Sequence, residues 1–74
     1  MMDDDAKALS RRVGDKVRPH YQKWLRRGKE PAEAFSLTYD EAAQLVAKAR
    51  KMSVDKTKFY SADVLQEAMN LATQ

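Results

Sequence analysis

The chain has no cysteine, one histidine, two glycines and two prolines among 74 residues. Without thiols, neither a disulfide nor a thiolate-bound metal can stabilise a fold this small. Gly14 and Gly28 are too few and too far apart for a glycine-rich phosphate loop. His20 has no second histidine with which to share a metal, and no nucleophile-base pattern surrounds it. Asp3, Asp4 and Asp5 form the one carboxylate cluster, at the terminus rather than in a framework that would hold a cation. No apolar run approaches the roughly 20 residues of a membrane span. The first residues are acidic where a signal peptide would be basic. These absences argue for a soluble cytoplasmic protein, not an enzyme, with no cofactor and no metal.

What is present is charge, and it is unevenly placed. Net charge is +3, yet Arg11 to Lys29 holds eight basic residues against Asp15 alone. A second run from Lys48 to Lys58 holds five against Asp55, and beyond it stand only Asp63 and Glu67. Such a division favours polyanions or acidic surfaces, although the same charges also suit ordinary solvated helix faces. Seventy-four residues make one domain, here 1–74 with residues 1–5 open to fraying. A chain of this length buries only about 60% of its unfolded surface, so its core contributes little stability to spare.

The apolar pattern is helical. Ala6, Leu9, Val13, Val17, Tyr21, Trp24 and Leu25 advance by threes and fours after the acidic start. Pro19 lies roughly opposite this stripe, and the unbroken phase favours one helix, about 4–26 and kinked near Pro19, over two. Gly28 ends it as a C-cap. Thr38 and Glu41 read as a capping box opening a second helix at about 39–51, whose stripe is Ala42, Leu45, Val46, Ala49 and Met52. Lys29 to Ser36 is then a connector, with room for one extra helical turn at 31–35 behind Pro31. Residues 53–60 read as a loop. Ser61 is an N-cap for a third helix, about 62–73, with Tyr60 stapled onto Leu65.

The expected fold is therefore all-α, a small bundle of three amphipathic helices. Its predicted core is Leu9, Val13, Val17, Tyr21, Trp24, Leu25, Phe35, Leu37, Leu45, Val46, Ala49, Met52, Val64, Leu65, Ala68, Met69 and Leu71.

Two binding roles suit this inventory. The first is a DNA-binding transcriptional regulator whose phosphate contacts come from Arg11, Arg12, Lys16, Arg18, Lys23, Arg26, Arg27, Lys29, Lys48, Lys51, Lys56 and Lys58. That role needs the basic faces of the first two helices to adjoin. The second is an adaptor or inhibitor docking by the same residues on an acidic surface of a larger protein such as RNA polymerase. Tyr21, Trp24 and Phe59 are the aromatic anchors available to either. Self-association into a homodimer through an apolar face is a third, weaker option. Leu37-Thr38 to Leu45 resembles the supporting first helix of helix-turn-helix regulators. The resemblance covers nine residues and stops at Ala47, where the helix continues instead of turning, so no family is assigned.

Overall fold

The computed structural model of the protein describes residues 4–52 and 61–74. It contains α1 (Asp4–Arg26), α2 (Pro31–Met52) and α3 (Ser61–Ala72), each packed against the other two. The long axis is 40 Å. No strand occurs among the described residues, and none of their helices is long and apolar enough to cross a membrane.

α1 passes through Pro19 as one helix, with the proline on the exposed side. Its end is set by Gly28, whose φ of +88° lies in the left-handed region that glycine enters without a Cβ penalty. The Gly28 amide donates to the Leu25 carbonyl at 3.1 Å, and the Lys29 amide to the Trp24 carbonyl at 3.0 Å. This pair of bonds is a Schellman motif, which satisfies two of the carbonyls left over at a helix end.

Only four residues then separate α1 from α2, because α2 starts at Pro31 and not at Tyr39. Pro31 occupies the first helical position, where its missing amide costs nothing, and the Glu30 carbonyl accepts the Ala34 amide at 2.9 Å. The capping box expected at Thr38 and Glu41 does not form. Thr38 lies inside α2, fully buried, and its hydroxyl donates to the Ala34 carbonyl at 2.7 Å. A threonine can bond back to the carbonyl four residues earlier, so its letter alone does not mark a boundary. The extra turn at 31–35 is thus the first part of α2. The third helix falls within a residue of its expected limits. The loop expected at 53–60, with Tyr60, Phe59, Lys56 and Lys58, falls outside the described residues.

The short link makes α1 and α2 antiparallel. Gly14 of α1 faces Ala68 and Leu71 of α3, and Arg18 reaches the Leu71 carbonyl, so α3 runs alongside α1 in the same direction. The result is an up-down-up bundle. At a rise of about 1.5 Å per residue, α1 and α2 each extend about 33 Å and α3 only about 18 Å. The third wall therefore stops near Val17, well short of the α1–α2 link.

This length mismatch decides what is buried. Below the end of α3, the buried residues are Ala6, Leu9, Ser10, Val13, Gly14 and Val17 on α1 and Ala42 and Val46 on α2. Val64, Leu65, Ala68, Met69 and Ala72 of α3 complete the core. Above it, the small Ala34 and Thr38 of α2 are still fully buried, whereas Tyr21, Trp24, Leu25 and Leu37 are only partly buried and Phe35 is exposed. Met52, also expected inside, is 77% exposed at the far end of α2. Leu45, Ala49 and Leu71 pack at the margin. Small residues take the places expected of large ones: Ala6, Ala34, Ala42, Ala68 and Ala72 are five of the twelve buried apolar residues described. The buried hydroxyl of Ser10 donates to the Ala6 carbonyl at 2.9 Å, so like Thr38 it enters the core without an unsatisfied group.

Small side chains bring the helices close together. A Cβ on Gly14 would sit 2.9 Å from both the Ala68 carbonyl oxygen and the Leu71 Cβ. Since backbone cannot move aside as a side chain end can, Gly14→Ala should push α3 away. We expect a net loss of about 1–2 kcal/mol in urea unfolding, overpacking outweighing the gain of about 1 kcal/mol in helix propensity. An unchanged or raised stability would show that the approach is not tight.

Candidate binding surface

The helical spacing of α1 sorts its basic residues into two flanks. Arg12, Lys16, Lys23 and Arg27 recur at intervals of four, seven and four, which places them along one side. All but Lys23 are exposed, and Lys23 is partly so. Arg11 and Arg18, seven apart, lie on the other side, where Gly14 shows that α3 packs. Arg26 projects from the exposed face between them.

Arg18 has a structural task. Its guanidinium donates to the Leu71 carbonyl at 3.0 Å and pairs with Asp15 at 3.2 Å. Leu71 belongs to the last turn of α3, whose carbonyls lack helical partners, and α3 has no basic residue of its own there. A cation from α1 thus supplies what the macrodipole of α3 favours at its negative end. Thr73 completes this terminus, its amide and hydroxyl both donating to the Met69 carbonyl at 3.0 and 2.8 Å.

The structure does not bring all the predicted contact residues together. In the antiparallel hairpin, Lys48 and Lys51 of α2 lie level with the first turns of α1, about 25 Å along the axis from Lys23, Arg26, Arg27 and Lys29. The expected continuous face formed by the basic end of α2 beside the densest charge of α1 is therefore divided between opposite ends. Lys29 is engaged with Glu33 of α2 at 3.3 Å.

At the link end, charge meets aromatic surface. The Lys23 ammonium stands 5.0 Å from the centre of the Trp24 ring and the Arg27 guanidinium 5.5 Å. Each such cation–π contact is worth about 0.5–1 kcal/mol where solvent reaches it. On α2, Phe35 and Tyr39 are each 38% exposed and their rings stack with centroids 6.3 Å apart. Tyr21 and Leu25 stand seven and eleven residues beyond Gly14, so they continue the α3-facing side of α1 past the point where α3 ends. All four described aromatic residues lie at or beyond that level.

Trp24 and Tyr21 lie at this end. Phe35, Tyr39, Leu25 and Leu37 join them there, although the sequence pattern assigns three of these to the core. The signal that identifies them is the disparity in helix length. His20 is partly buried, and among the described residues no group of three or more His, Asp or Glu side chains could hold a metal ion. Comparison of the chain with protein-family models, curated proteins and solved structures finds no match to any of them.

Arg18→Met should remove the cation from the end of α3 while keeping the aliphatic stem. The side chain is 41% exposed, so solvent screening limits the loss to about 1 kcal/mol or less in urea unfolding. A stability equal to that of the parent would mean that water caps Leu71 as well as arginine does.

Proposed function

We propose that the protein is a non-enzymatic adaptor or inhibitor that docks on an acidic surface of a larger protein through the open end of the α1–α2 hairpin. The observation that carries this is the gathering of Tyr21, Trp24, Phe35 and Tyr39 beyond the reach of α3, beside Lys23, Arg26 and Arg27. Tryptophan, tyrosine and arginine are the residues that dominate binding energy at protein interfaces. Aliphatic Leu25 and Leu37 at the same end suit a protein side chain better than a phosphate. The cations of α1 suit acidic groups on the partner, while Glu33 and Asp40 beside the aromatic pair on α2 would repel a uniform polyanion and call for a partner that also carries basic groups.

The test is a photo-crosslinking residue, benzoylphenylalanine, placed at position 39 in cells. The expected product is an adduct with one discrete polypeptide that persists after nuclease treatment, and the same residue at position 48 should not give it. An adduct that disappears with nuclease, or none at position 39, would sink the proposal.

A second reading, a DNA-binding regulator, draws on a different observation. Arg12, Lys16, Lys23 and Arg27 extend about 22 Å along one flank of α1, a length that would meet several phosphates. On this reading, duplex DNA binding weakens steeply with salt. Lys16→Glu, on the exposed surface, should then lower the slope of log affinity against log salt by about 1. Binding that ignores salt would rule it out.

A further inference from the structure

We draw no further inference here: the strongest candidate, the apolar end of the α1–α2 hairpin where Tyr21, Leu25, Phe35 and Tyr39 stand beyond the reach of α3, carries nothing more because nothing in the structure shows what covers it.

Discussion

Gly14 lets the third helix come against the backbone of the first, and the rest of the bundle is arranged around that contact. A side chain there would strike the Ala68 carbonyl and the Leu71 Cβ together, each at 2.9 Å. With the helices this close, the residues between them must be small, and Ala6, Ser10, Ala68 and Ala72 are. The hydroxyls of Ser10 and Thr38 fit the same requirement. Each bonds to its own helix, so neither needs a partner across the narrow interior. Leu9, Leu65 and Met69 are the large side chains that this core takes, and the aromatic ones near the link gather where only two helices remain.

That division has an energetic side. Alanines bury little area each, and burial of a large apolar side chain contributes about 1.5–3 kcal/mol where an alanine gives much less. None of the four described aromatic residues is fully buried. Much of the chain's capacity for apolar contact is therefore held outside its own core, which is a costly arrangement for a single small domain unless something else covers it. The cations over Trp24 shield one ring in part. Phe35 and Tyr39 stack on each other and keep more than a third of their surface exposed.

The all-α architecture was legible because it depends on period alone. Stripes at three and four in α1 and α3 specify helices and faces whatever they pack against. The start of the second helix was not, because Thr38 with Glu41 has the letters of a capping box at a point where the chain is already helical. Pro31 was the better marker, since proline at a first helical position needs no further warrant. Burial near the link is not legible from period either. Tyr21, Trp24, Leu25, Phe35 and Leu37 lie on the correct faces, but a face is buried only where a neighbour is long enough to reach it. For the charged residues, spacing placed each on its flank, yet antiparallel pairing alone decided that Lys48 and Lys51 stand far from Lys23 to Lys29. For Arg18, nothing local shows that a carbonyl fifty-three residues later, in the last turn of α3, takes its guanidinium.

The left-handed turn at Gly28 has a consequence for how the molecule assembles. It reverses the chain within four residues, so α1 and α2 can meet after closing a very short loop, which costs little entropy. α3 has only twelve residues, below the length at which an isolated helix holds together in water, and its last turn relies on a side chain from α1. Contacts close in sequence thus favour the α1–α2 hairpin forming ahead of the more distant packing of α3. The bare surface beyond Leu71 is then present from the first stage, in the hairpin itself, before the third helix has been added.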